Sequence, residues 1–181
     1  MENPYKRKKE PEVSKQLILD AAAEIGAVDW HRVTFQAIAD KTGLSKGGII
    51  HHFRNKEDLL KELMGQSLKE LTEWITAEKK ASSKEEGSLA YLRFIINKSN
   101  DLYYRRTMRI VMQVALINEE YRKGWDEWFK FYIGNGDNGE LSIKHLIIML
   151  VADGLWCSDN LGIYNISLEK KQQMLEALIK L

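Results

Sequence analysis

The sequence predicts an all-α protein: an N-terminal three-helix head with a helix-turn-helix, joined by a long helix to a larger C-terminal helical body. Three observations predict it. The two prolines, Pro4 and Pro11, both stand in the leading tail, so no later residue has to break a helix. Apolar residues recur at spacings of three and four through the remainder, the period of one helical face. Between residues 34 and 56, helix caps and a glycine stop follow one another at the spacing of helix, tight turn, helix.

Composition bounds the answer. The 181 residues suffice for one large domain or two small ones. Hydrophobic content of 44% and charged content of 29% describe an ordinary soluble chain. Net charge is +1, so affinity for nucleic acid must come from a local patch. The single cysteine, Cys157, excludes an internal disulfide framework and a cysteine-based zinc cluster, and fits a reducing cytoplasm. Residues 1–12 have no apolar core for a signal peptide. The longest apolar run, residues 146–152, is far too short to span a bilayer. A cytoplasmic location is expected, with no membrane partner, no cofactor and no metal.

In chain order, Lys6, Arg7, Lys8 and Lys9 form a basic run that is either a solvated tail or an arm on DNA phosphates. The first helix is expected over residues 12–27, burying Val13, Leu17, Ile18, Ala21, Ala22 and Ile25. Trp30 is expected at the edge of the core. Thr34 can cap the second helix, Gly43 can end it in the left-handed conformation, and Ser45 can cap the third. Asn55 caps the fourth, with Glu57 and Asp58 in its first turn, where the helix dipole favours acids. The third helix carries Gly47 and Gly48, each disfavoured in a helix by about 1 kcal/mol. Without side chains, its backbone can approach another surface closely. Ile49, Ile50 and Phe53 are expected to anchor it. Residues 41–56 hold no acid, while Lys41, Lys46, Arg54 and Lys56 are basic. A thin, positively lined helix suits the DNA major groove.

These residues carry a resemblance. Thr34, Ile38-Ala39, Gly43-Leu44-Ser45, Gly47, His52-Phe53, Lys56 and Leu59-Leu60 together resemble the DNA-binding domain of the TetR family of bacterial transcriptional repressors. Many members carry Leu-Tyr where this chain has Ile49-Ile50, and that tyrosine often touches phosphate. Ile50 cannot, which shifts the backbone contact toward His51 and His52. The expected DNA residues are therefore Gln36 and Lys46 as base readers, Gly47 and Gly48 for close approach, and Thr34, Ser45, His51, His52 and Lys56 on phosphates.

The fourth helix, residues 56–80, has the stripe Leu60, Leu63, Met64, Leu68, Leu71, Trp74 and Ile75, long enough to link head and body. Ser83 and Glu86 form a capping box for a fifth helix, expected to carry Leu89, Leu92, Ile95, Ile96 and Leu102. Aromatics and methionines crowd residues 91–131. Most must be core, and some can line a pocket for a lipophilic ligand. Met112, Trp125 and Trp128 are the candidates, with Glu119 and Glu120 more simply exposed. Residues 134–139 spell GxGxxG, but no βαβ unit surrounds them, so a loop is expected.

Residues 141–161 are apolar on nearly every side, and residues 167–181 carry one apolar face. These two helices are expected to form half of an intermolecular four-helix bundle, closing a two-fold homodimer. The resemblance implies the same. Asp153 and Trp156 stand in this region. The run Ala152-Asp153-Gly154-Leu155-Trp156, with Asp159, is similar to a branch of multidrug-sensing repressors. A buried aspartate must be hydrogen-bonded or paired, so Asp153 either makes a helix–helix hydrogen bond or, as this similarity implies, stands on a pocket wall where it meets a cationic effector and Trp156 stacks on it.

The division expected is residues 1–55 for DNA and 56–181 for effector and dimerisation. The function implied is a ligand-responsive repressor that binds a palindromic operator and is released by a small lipophilic effector, cationic in one version. A regulator of metabolism answering another molecule, or none, stays open. No clustered nucleophile, base or metal set favours an enzyme.

Overall fold

The computed structural model describes residues 11–81, 87–134 and 141–181, and these hold helices and connections with no strand. The basic run at residues 6–9, the capping box at Ser83 and Glu86, and all but Gly134 of the GxGxxG segment lie outside the described residues.

The head comprises α1 (Pro11–Gly26), a 3-10 turn (Trp30–Arg32), α2 (Phe35–Thr42) and α3 (Lys46–His52). Its boundaries are set by caps. The Thr34 hydroxyl accepts from Ala37 N–H at 3.1 Å, and the Ser45 hydroxyl from Gly48 N–H at 3.1 Å. Gly43 ends α2 at φ 70°, where a Cβ would be strained. α4 (Lys56–Ala81) then runs out of the head, with Asn55 Oδ1 accepting from Asp58 N–H at 2.7 Å. The body adds α5 (Gly87–Lys98), α6 (Leu102–Ile117), α7 (Glu119–Tyr132), α8 (Ile143–Leu161) and α9 (Leu168–Ile179).

Two apolar cores result, and two helices enter both. The head core gathers Ile18, Leu19, Ala22, Ile38, Ile49 and Phe53, and takes Leu59, Leu60 and Leu63 from α4 and Ile110 and Val114 from α6. The body core takes Leu71 and Ile75 from α4 and Tyr104 and Met108 from α6, around Phe94, Ile95 and Ile148. α4 and α6 therefore both link head to body.

That second link explains why the expected stripe of α1 is rotated. Val13 is 62% exposed and Leu17 41% exposed, whereas Leu19 and Ala23 are fully buried. α1 packs on α6 as well as on α2, so its buried face is set by a helix far away in sequence. Leu102 is also corrected: it opens α6 rather than closing α5, and is exposed. Asp101 makes that break by accepting from Tyr104 N–H at 3.0 Å.

α6 is tied to α8 as well. Arg105 and Arg109 donate to the carbonyls of Asp159 and Asn160, at 2.5 and 2.9 Å, in the last turn of α8. The buried Lys171 ammonium of α9 meets Asp159 Oδ1 at 2.6 Å. On the outer side, α8 leaves Ile143, Leu150 and Leu161 exposed, and Leu168 and Ile179 of α9 are exposed too.

Candidate nucleic-acid interface and effector cavity

α2, α3 and the first turn of α4 enclose an open hollow of about 370 Å³ on the head. Thr34, Gln36, Lys46 and Lys56 line it, so four of the expected DNA residues meet at one place. Gln36 is exposed and donates to Asp40 Oδ1 at 2.7 Å, one helical turn on. Lys46 is exposed. Thr34 and Ser45 use their hydroxyl oxygens as caps, which leaves each hydroxyl proton free to donate outward.

Lys56 has an internal task besides facing the hollow. Its ammonium donates to the Trp30 carbonyl and stands 4.5 Å from the centroid of the Trp30 ring. Burial lowers its pKa, against the raising influence of Asp29 and Glu57. Lys56→Met should therefore lower head stability by about 1 kcal/mol. The salt slope of DNA binding should be unchanged. Melting curves and salt titrations check this; a drop of one full unit in slope with unchanged stability would return Lys56 to a purely phosphate-binding role.

The outer face of α3 is Lys46, Gly47, Gly48, Ile50 and His51, all exposed, with His52 half-buried. Ile49 and Phe53 anchor the helix, as expected, but Ile50 does not: it is 46% exposed. Consecutive helical residues point about 100° apart, so the rotation that buries Ile49 and Phe53 together turns Ile50 outward. A Cβ built on Gly47 meets nothing within 4 Å, and one on Gly48 meets only Ser45 Oγ at 3.3 Å. The protein's own packing thus does not require glycine at position 47.

In the body, a cavity of about 270 Å³ opens between α4, α5, α6 and α7. Met64, Leu68, Leu71, Phe94, Met108 and Trp125 supply much of its apolar wall. Lys61 and Glu120 stand on its lining near the head-proximal starts of α4 and α7. Gly65 and Gly124, where a Cβ would meet nothing within 4 Å, keep it open.

Of the expected effector residues, Trp125 lines this cavity. Trp128 stacks on Trp125 at 5.5 Å and is buried, its indole N–H donating to Thr72 Oγ1 at 2.9 Å. Met112, Asp153 and Trp156 are not on the cavity wall. Sequence reasoning missed Lys61, Gly65 and Gly124, whose shared position appears only once α4 and α7 are packed together.

Asp153 instead accepts from the buried Tyr91 hydroxyl at 2.8 Å, between α8 and α5. Burial raises its pKa, against the lowering effect of that hydrogen bond. A carboxyl with a raised folded pKa is destabilising when charged, so its contribution falls as pH rises from the ordinary 3.8 through the raised value. Asp153→Asn keeps an acceptor for Tyr91 and removes the charge. It should stabilise the fold near neutral pH. The gain should vanish near pH 3. Urea melts at both pH values check this, and an equal gain at both would contradict it.

Comparison with known proteins agrees with this geometry. Residues 18–63 match the pattern of the bacterial regulatory proteins of the tetR family. Residues 86–181 match a tetracyclin repressor-like C-terminal domain. A fatty acid metabolism regulator protein of Bacillus subtilis (strain 168) is 33% identical over 123 residues, covering 64% of this chain and 60% of that protein. The chain thus matches under two thirds of that relative's length. Among solved structures, NalD, the secondary repressor of the MexAB-OprM multidrug efflux pump in Pseudomonas aeruginosa, superposes with a TM-score of 0.67 at 20% identity. That superposition covers 96% of this chain and 97% of NalD. Salmonella enterica GusR gives 0.63 at 17% identity, over 96% of this chain and 99% of GusR. With both halves matched in order and the helix-turn-helix in place, this chain belongs to the TetR family of bacterial regulatory proteins.

Proposed function

We propose that this protein is a transcriptional repressor that binds a palindromic operator as a homodimer and releases it when a lipophilic effector enters the α4–α7 cavity. The observation that carries the DNA-binding half is the outer face of α3, where Lys46 stands beside Gly47, a glycine that the protein's own packing does not require. The residues placed on DNA remain Gln36 and Lys46 for bases, Gly47 and Gly48 for approach, and Thr34, Ser45, His51 and His52 for phosphates. Lys56 supports them through Trp30. The exposed apolar faces of α8 and α9 favour a second copy as their cover, since bare Ile143, Leu150 and Leu161 form one patch on a helix. Two copies would present two α3 helices to successive major grooves.

The cavity favours an effector with an apolar body and one polar end. Its wall is aliphatic and aromatic, and its charges gather toward the head. A lipophilic cation would set its charge against Glu120, and an acyl chain would set an acidic end against Lys61. The similarity to a regulator named for fatty acid metabolism favours the acyl version. The test is a gel shift of purified full-length protein on the DNA flanking its own coding sequence. Free fatty acids of graded chain length and a panel of lipophilic cations are then added. Retardation of that DNA over random duplex is expected, with release by the fatty acids. Release by cations alone would restore the drug-sensing version; equal retardation of random DNA would remove the operator reading.

A further inference from the structure

We infer that Ile50 reads the C5-methyl group of a thymine in each operator half-site. The inference rests on the reading of α3 as the DNA-facing helix and deepens it. Ile49 is fully buried and Phe53 nearly so, which fixes the rotation of α3 about its axis. Ile50 is then 46% exposed, on the same side as Lys46, four residues earlier, and Gly47, three earlier. The face holds a cation, two glycines, a histidine and this single aliphatic group.

The position is chemically unusual on a surface meant for phosphates and base edges. An sec-butyl side chain neither donates nor accepts a hydrogen bond, so it gains nothing from phosphate. The edges of base pairs in the major groove offer hydrogen-bonding atoms and one apolar group, the thymine methyl. Contact between the two removes apolar surface from water on both sides. Gly47 and Gly48 add no side-chain atoms near Ile50, so the helix backbone can come close enough for Ile50 to reach a base edge. Branching at Cβ limits its rotamers, so little side-chain freedom is lost on contact.

Operator half-sites are first selected by the full-length protein from a random-sequence duplex pool. Each thymine of the selected site is then replaced in turn by deoxyuridine, which removes only the methyl group. The wild type is expected to lose about fourfold affinity per half-site at one thymine position. Ile50→Ala is expected to bind the thymine and uracil duplexes alike at that position, and to keep the remaining sequence preference. If the wild type tolerates deoxyuridine at every position, the inference is overturned while the repressor reading stands. If the sensitivity survives unchanged in Ile50→Ala, the methyl group is read by another residue and the inference is again overturned. A pool that yields no preferred sequence removes the operator reading and this inference together.

Discussion

Gly47→Leu should remove specific DNA binding while leaving the head as stable as before, or more so. The stability half follows from helix propensity. Glycine is disfavoured inside a helix by about 1 kcal/mol relative to alanine, and leucine is among the good helix formers. Gly47 does not have a positive φ, and a Cβ there meets nothing within 4 Å, so no strain or clash offsets the gain. The binding half follows from where that open space points. It lies on the exposed face of α3, beside Lys46, where base edges would have to come within hydrogen-bond reach. A leucine there holds the helix off the groove in both half-sites. With each disrupted base contact worth about 1–3 kcal/mol, two half-sites lose roughly 30-fold or more. Gly48 is the poorer test, because a Cβ there already crowds the Ser45 cap at 3.3 Å. Thermal melts and binding titrations on one preparation decide the matter. Wild-type affinity in a folded Gly47→Leu protein would show that α3 does not enter the groove, and the proposed function would fall with it.

The head was readable in the sequence because its boundaries are made by local chemistry. Thr34, Ser45 and Asn55 cap amides three residues away, and Gly43 supplies a left-handed stop, so residue type and spacing alone imply them. The long α4 and the all-helical class were readable for the same reason. What escaped the sequence depends on partners distant along the chain. Leu19 rather than Val13 is buried because α6 covers one side of α1. Ile50 is exposed because Ile49 and Phe53 already fill the contact. For Asp153 the sequence left a helix–helix hydrogen bond and a ligand contact both open, since a carboxylate in an apolar helix needs a partner; the hydrogen bond is the one observed, to Tyr91, 62 residues away. The cavity was the least readable feature. Gly65 and Gly124 shape it by what they lack, and a missing side chain has meaning only against the surface it faces.

The second large effect is expected at Gln113, and it concerns control rather than recognition. Gln113 Oε1 accepts from Trp30 N–H at 2.8 Å, and its Nε2 donates to the Gly26 carbonyl at 3.0 Å. One side chain of α6 thus clamps the end of α1 and the turn that follows. The two helices are in tight contact here, since a Cβ on Gly26 would lie 2.8 Å from Ile110 Cδ1. Trp30 in turn holds Lys56, which lines the hollow shared by Thr34, Gln36 and Lys46. On another face of the same helix, Tyr104, Met108 and Val111 line the cavity. A helix moves as a unit along its axis, so a ligand that displaces the α6 backbone at Met108 either carries Gln113 with it or breaks its bonds to Trp30 and Gly26. Gln113→Leu keeps the bulk and leaves the Trp30 N–H and the Gly26 carbonyl unpaired. Part-buried orphans of this kind cost about 1–3 kcal/mol, so a modest fall in stability is expected. The larger change should be in coupling. Effectors typically alter DNA affinity by about 5–150-fold, and in Gln113→Leu the ratio should fall below about fivefold. The effector's own affinity for free protein should change little, since Gln113 is not on the cavity wall. Linkage supplies an internal check: the operator must weaken effector binding by the same factor that the effector weakens operator binding. Undiminished coupling in a folded Gln113→Leu protein would place the transmission outside this clamp.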